Sequence, residues 1–309
     1  MTTLSKYFLI VTAFLALVGG GCVPASLHEK NITSIGRSCS INGCTAGEKD
    51  GGDVIHITKL AGSRIDLKNA VSLKPGDNAI IFTLLGEDGR LLGADDLKVE
   101  HEKRLHLLIV RDDMTEFQHI HPEFKQGQWI VQTNIPKQGN YQMYIDIAPV
   151  RENAVVLRVP FSVGGETLDA NAPGPSRDLS TQNGDYVVKL SIDAPVRTKE
   201  TKPWTFMITK NGQPVDNIGP YLGAYGHIVE LRHGDPDDFF HVHPTTEVKP
   251  VDGNVVFMGT FPTKGRYTLY AQFNLGNQIK TFPITLDVQE DGTASSDSGI
   301  KTKSPHTMH

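Results

Sequence analysis

Two short motifs carry the residue types best suited to chemistry, Phe117-Gln118-His119-Ile120-His121-Pro122 and Phe239-Phe240-His241-Val242-His243-Pro244. Along a β-strand, side chains two positions apart project to one face, so each His-x-His presents two imidazoles together. Neutral imidazole is a ligand for Zn(II) and Cu(II). A third imidazole comes from upstream: His106 opens the run His106-Leu107-Leu108-Ile109-Val110-Arg111, and His227 opens His227-Ile228-Val229-Glu230-Leu231-Arg232. If Val110 to Phe117 is a hairpin with a loop of Asp112 to Thr115, Arg111 pairs with Glu116 and His106 falls opposite His121. A loop one residue longer places His227 opposite His243. Cross-strand Cβ atoms stand roughly 4.5 to 5.5 Å apart, close enough to share an ion. The expectation is one copper or zinc ion per copy, held by His106, His119 and His121 and by His227, His241 and His243. A slip of one residue would turn His106 to the opposite face.

Other uses of these residues stay open. A His-Pro step can simply close a strand, because Pro cannot donate to the ladder, and histidine often satisfies a backbone carbonyl. No cysteine lies near either cluster, which excludes a blue-copper centre. There is no Gly-x-Ser-x-Gly, phosphate loop, dinucleotide fingerprint or His-Glu-x-x-His, so no catalytic residue is named. A His-bound ion with an open position can still activate water or oxygen, so a metal-dependent enzyme stands as one alternative. The other is a membrane-held, immunoglobulin-like interaction module with structural histidines. Asp112, Asp113 and Met114, like His233, Asp235, Asp237 and Asp238, read as solvated turns. His28, His56 and His101 have no repeat partner and receive no role. The tail Pro305-His306-Thr307-Met308-His309 combines imidazole and thioether, a pairing that suits copper.

The elements that position these residues form an internal repeat. Beyond the histidine motifs, Ile135-Pro136-Lys137-Gln138-Gly139-Asn140-Tyr141 is answered by Phe261-Pro262-Thr263-Lys264-Gly265-Arg266-Tyr267, Tyr144 by Tyr270, and Val159-Pro160-Phe161 by Phe282-Pro283-Ile284. The copies span 60–165 and 184–289, with a linker at 166–183 rich in Pro, Gly, Asp and Asn, and a polar, disordered His/Met tail at 290–309. Each copy consists of short runs of Val, Ile, Tyr and Phe bounded by turn residues, without sustained helical periodicity. The expected fold is all-β: two tandem antiparallel β-sandwich domains, immunoglobulin-like or cupredoxin-like. A fragment 184–289 should fold alone.

The N-terminus sets the compartment. Lys6, the largely apolar 12-residue run Tyr7 to Val18 and Gly19-Gly20-Gly21 have the build of a signal peptide over 1–21. Cys22 then becomes the first mature residue, and lipidation of it would anchor the protein in the bacterial envelope, in the periplasm or at the cell surface. Cys39 and Cys44, in the N-terminal segment 22–59, are placed for a disulfide around the Asn42-Gly43 turn in an oxidising compartment. The formal net charge of −5 offers no basic stripe for phosphates, so nucleic acid is not an expected partner. The expected partners are the membrane, through the lipid, and an envelope protein of metal handling.

The paired blocks His106 to Pro122 and Tyr221 to Pro244 resemble those of a family of exported bacterial proteins of unsettled function, often met near copper or heavy-metal loci. The resemblance covers both copies, and implies an extracytoplasmic role, metals, and no assigned catalytic residue. The tail element His306-Thr307-Met308 is similar to the His-x-Met element of periplasmic copper chaperones.

Overall fold

The runs of Val, Ile, Phe and Tyr in both copies form strands, and the Gly, Pro, Asn and Asp clusters between them form turns. The computed structural model describes residues 73–164, 171–242 and 249–291, with the backbone of two earlier strands. Cys22, Cys39, Cys44, His28, His243 and the tail from residue 292 lie outside the described residues, and so do the expected signal peptide, lipid anchor and disulfide. Among the described residues no helix is long and apolar enough to cross a membrane.

The strands before the interdomain stretch are β1 (Ile55–His56), β2 (Arg64–Leu67), β3 (Gly76–Leu85), β4 (Leu105–Arg111), β5 (Phe117–Ile120), β6 (Glu123–Lys125), β7 (Gln128–Ile135), β8 (Gly139–Ile147) and β9 (Val155–Val163). After it come β10 (Ser180–Asn183), β11 (Tyr186–Ser191), β12 (Lys202–Lys210), β13 (Gln213–Pro214), β14 (Ile218–Gly219), β15 (His227–Arg232), β16 (Asp235–Val242), β17 (Asn254–Gly259), β18 (Gly265–Leu275) and β19 (Gln278–Val288). In the first copy an outer sheet β2-β3-β7-β6 covers an inner sheet β5-β4-β8-β9. In the second, β10-β11-β12, with β13 and β17 beside β12, covers β1-β16-β15-β18, with β14 and β19 beside β18. The protein is therefore all-β, with two tandem antiparallel sandwiches.

Each sandwich has its own core. Phe82, Leu84, Trp129, Leu107, Ile109, Met143 and Ile145 pack between the first pair of sheets, and Trp204, Phe206, Phe257, Leu269 and Phe273 between the second. Removing one such large apolar side chain from water stabilises the fold by about 1.5–3 kcal/mol. Tyr141 and Tyr267 lie at equivalent places, and each donates its hydroxyl to the carbonyl four residues upstream, Lys137 O and Thr263 O, both at 2.8 Å. Gly139 and Gly265 open the equivalent strands β8 and β18 at φ +135° and +147°. A Cβ at Gly139 would stand 2.9 Å from the Arg111 guanidinium, so the Gly-aromatic signature of the repeat has a backbone reason.

Two strands lie outside the expected bounds of the repeats. The linker expected over 166–183 ends early, because Ser180–Asn183 is strand β10, paired with β11 from Asn183↔Tyr186 to Ser180↔Lys189. Its polar composition is that of an edge strand, closed by the turn at Gly184 (φ +61°). The N-terminal segment expected over 22–59 also contributes structure: β1 pairs with β16 of the second copy, Ile55 opposite His241.

Candidate metal centre

Strand β4 is buried along all seven residues. Leu105, Leu107 and Ile109 face the first sandwich core, while the alternate face belongs to an interface with the second copy. There Leu108, Val110, Met114, Tyr144 and Val156 pack against Val229, Leu231, Phe239 and Tyr270, with Phe117 beside them. The contacts are reciprocal. Tyr144 stacks on Phe239 with ring centroids 4.7 Å apart and donates to Pro236 O at 2.9 Å. Its counterpart Tyr270 stacks on Phe117 at 4.1 Å and donates to Met114 O at 2.8 Å. Exchange of equivalent contacts in this way defines a local two-fold relation between the inner sheets.

The same faces carry the histidines at their other end. The β4–β5 hairpin pairs Leu107 with Ile120 and Val110 with Phe117, and Arg111 N donates to Glu116 O, so continuation of the register sets His106 across from His121. In the second copy Val229 pairs with His241 and Leu231 with Phe239. The five-residue loop expected there is absent. Register shifts after Leu231 so that Arg232 faces Asp235, and a bulge takes up the extra residues while the pairing at His241 keeps its expected phase. Arg232 Nε reaches Asp238 at 2.7 Å, and Arg232 also pairs with Asp235 as Arg111 does with Asp113, so several loop acids serve the arginine that ends the strand.

His106, His119 and His121 each offer a ring nitrogen within 4.8 Å of the others. Their ring centroids are 5.0 to 5.3 Å apart. His106 Nε2 lies 3.0 Å from Glu100 O, an atom that can only accept, so this nitrogen carries the proton. Gln272 Nε2 donates to Thr281 Oγ1 at 3.2 Å, which turns Gln272 Oε1 toward His119 Nδ1 at 2.8 Å and puts the His119 proton there. The two remaining nitrogens, His106 Nδ1 and His119 Nε2, face each other at 3.1 Å. Both rings are neutral near pH 7: burial lowers His106 to about 4 and His119 well below the ordinary imidazole value. Two lone pairs thus confront each other. Two nitrogens held about 2.0–2.1 Å from one tetrahedral ion stand roughly 3.3–3.4 Å apart, close to the observed separation. His121 Nε2 is buried without a hydrogen-bond partner among the described residues, and burial lowers this ring to about 3.

The second copy brings its histidines to the same place rather than to a separate one. The His241 ring lies 5.4 Å from His119, 5.6 Å from His106 and 5.5 Å from His227. His227 Nε2 meets Tyr221 O at 2.8 Å, six residues upstream, as His106 meets Glu100. Both carbonyls sit on matching tight turns, closed by hydrogen bonds between Glu100 and Lys103 and between Tyr221 and Ala224. Asp146, opposite His106 on β8, places Oδ2 3.5 Å from His241 Nδ1. Burial, then the charge of Glu100, raises this carboxyl to about 7.

Several members of this cluster lie outside the residues that the sequence motifs single out. His101 has no repeat partner, yet its ring lies 6.0 to 6.2 Å from His106, His227 and His241. Its positive φ of 47° matches Leu222 at 53°, so the turn is repeated although the side chain is not. Asp146 and Gln272 stand two residues beyond the repeated Tyr144 and Tyr270, a strand-phase signal that could have placed both on the histidine face. His233 lies apart from the cluster, half-buried and bonded to Thr268 Oγ1 at 2.8 Å.

A family model described as a domain of unknown function (DUF8832) matches twice, over residues 58–166 and 180–290, and its description names no metal and no activity. No curated protein matches the chain. Among solved structures the chain is similar to Salmonella alpha-2-macroglobulin reacted with methylamine, at 10% identity and TM-score 0.24, over 76% of this chain and 15% of that one. It is likewise similar to the fibronectin(III)-like modules of Clostridium thermocellum CbhA, at 8% identity and TM-score 0.20, over 80% of this chain and 100% of that one. The chain thus spans about 15% of the length of the macroglobulin it matches.

Proposed function

We propose, for a chain that belongs to this duplicated family of unknown function, that it binds a copper or zinc ion through His106, His119 and His121 and serves as a metal buffer, chaperone or sensor in the cell envelope. The observation that carries this is the confrontation of His106 Nδ1 and His119 Nε2 at 3.1 Å, with the opposite nitrogen of each ring tied to an oxygen. Orienting a ligand imidazole through its other nitrogen is the usual device of metal sites. A neutral nitrogen donor set suits copper or zinc and fits calcium or magnesium poorly. Export and a lipid anchor are supported by the apolar run ending at Gly19-Gly20-Gly21-Cys22.

The test is elemental analysis of protein purified without an affinity tag, compared with a variant carrying His106→Ala and His119→Ala. Bound copper or zinc whose amount falls in the folded variant is the expected result. Equal metal content in both would leave the buried histidines as packing groups, and the chain would then be an interaction module.

A further inference from the structure

We infer that the interface holds a second ion beside the first, ligated by Asp146 of the first copy with His227 and His241 of the second, so that the centre is dinuclear and built by both copies together. The inference rests on the metal-binding proposal above and extends it to residues of the other sandwich.

Three observations converge on it. The local two-fold relation that exchanges Tyr144 with Tyr270 also exchanges the ring supports: His119 of the first copy meets Gln272 of the second, and His241 of the second meets Asp146 of the first. His106 and His227, at the start of β4 and β15, both have Nε2 held by the carbonyl six residues upstream, which leaves Nδ1 as the unprotonated nitrogen of each neutral ring. In this exchange the two supports differ in kind: a carboxylate stands in the first copy where the second has an amide. Asp146 Oδ2 stands 3.5 Å from His241 Nδ1, a separation that two ligand atoms of one ion can adopt.

Charge points the same way. Asp146 is 7% exposed, opposite His106 on the paired strand and beside His241. An ionised carboxyl so placed is costly unless a cation compensates it. A divalent ion held by His227, His241 and this carboxylate supplies that compensation. With His241 5.4 to 5.6 Å by ring centroid from His119 and His106, an ion on His241 would stand within a few ångströms of one held by His106 and His119. Two Cu(II) ions at that spacing interact magnetically.

The full chain, stripped with a chelator, would be titrated with Cu(II) alone and followed by calorimetry and electron paramagnetic resonance. The expected result is an isolated Cu(II) spectrum at one equivalent, and a second equivalent that binds while the isolated signal falls or a half-field transition appears. Asp146→Asn, which nearly preserves shape, should reduce the stoichiometry to one ion with an uncoupled spectrum, and His241→Ala should do the same. One ion in the wild type, unchanged in both variants, overturns the second site and leaves the first intact. Two ions with no magnetic interaction overturn the dinuclear centre. No ion bound at all overturns the metal-binding proposal with it.

Discussion

At the scale of single residues, burial decides how the histidines behave. It lowers His106 to about 4 and His121 and His227 to about 3, and His119 also falls well below its ordinary value. Asp146 moves the other way, to about 7, and buried Glu230 rises well above the usual carboxyl value. In the unfolded chain imidazole takes up a proton below about 6.5, which the folded rings refuse, so these four groups make unfolding absorb protons between roughly pH 4 and 6.5. Asp146 and Glu230 oppose this, since folded they hold protons that the unfolded chain releases near pH 4. Four imidazoles outweigh two carboxyls. Stability of the metal-free protein should therefore rise with pH from about 4 to 6.5, by on the order of 1 kcal/mol or more per unit, and fall gently above 7 as the carboxyls ionise. Thermal melts of chelator-treated protein across that range measure the slope, and a flat or falling stability between pH 4.5 and 6.5 would contradict it.

At the scale of elements, the strands and the histidine hairpins were legible because their signals are local. Alternation fixes which residues share a face, and the spacing from Arg111 to Glu116 fixes the register that sets His106 across from His121. What the sequence hid were choices made by distant partners. The bulge after Leu231 shortens the second turn without disturbing His241, and a residue count along the loop does not distinguish a bulge from a longer turn. Ser180–Asn183 is too polar to read as a strand, yet the turn at Gly184 returns it along β11. The uninterrupted apolar run of β4 is consistent with burial on both faces, but nothing local says that the second face is covered by the other copy. Local signals therefore predict two clusters where the described histidines of both copies meet in one.

At the scale of the whole molecule, the two sandwiches have separate cores but share the interface that carries the site. A fragment covering 180–290 keeps β10 and its own core, so it should fold into a β-rich sandwich by circular dichroism. It would also expose Val229, Leu231, Phe239 and Tyr270, a face that in the full chain meets its own equivalent across a local two-fold. Self-association in sedimentation is the expected behaviour, and a strictly monomeric fragment at high concentration would contradict the cohesion ascribed to this face.

Docking of the copies also orients His119 through Gln272, so the ion expected at His106, His119 and His121 depends on the intact pair. X-ray absorption at the copper or zinc edge of the full chain loaded with one equivalent of metal tests this most directly. The expected spectrum shows imidazole nitrogens at about 2.0 Å with the multiple scattering of histidine rings, lost in a folded variant carrying His106→Ala, His119→Ala and His241→Ala. A spectrum of oxygen ligands without ring scattering, or one unchanged in that variant, would contradict a metal centre at the interface.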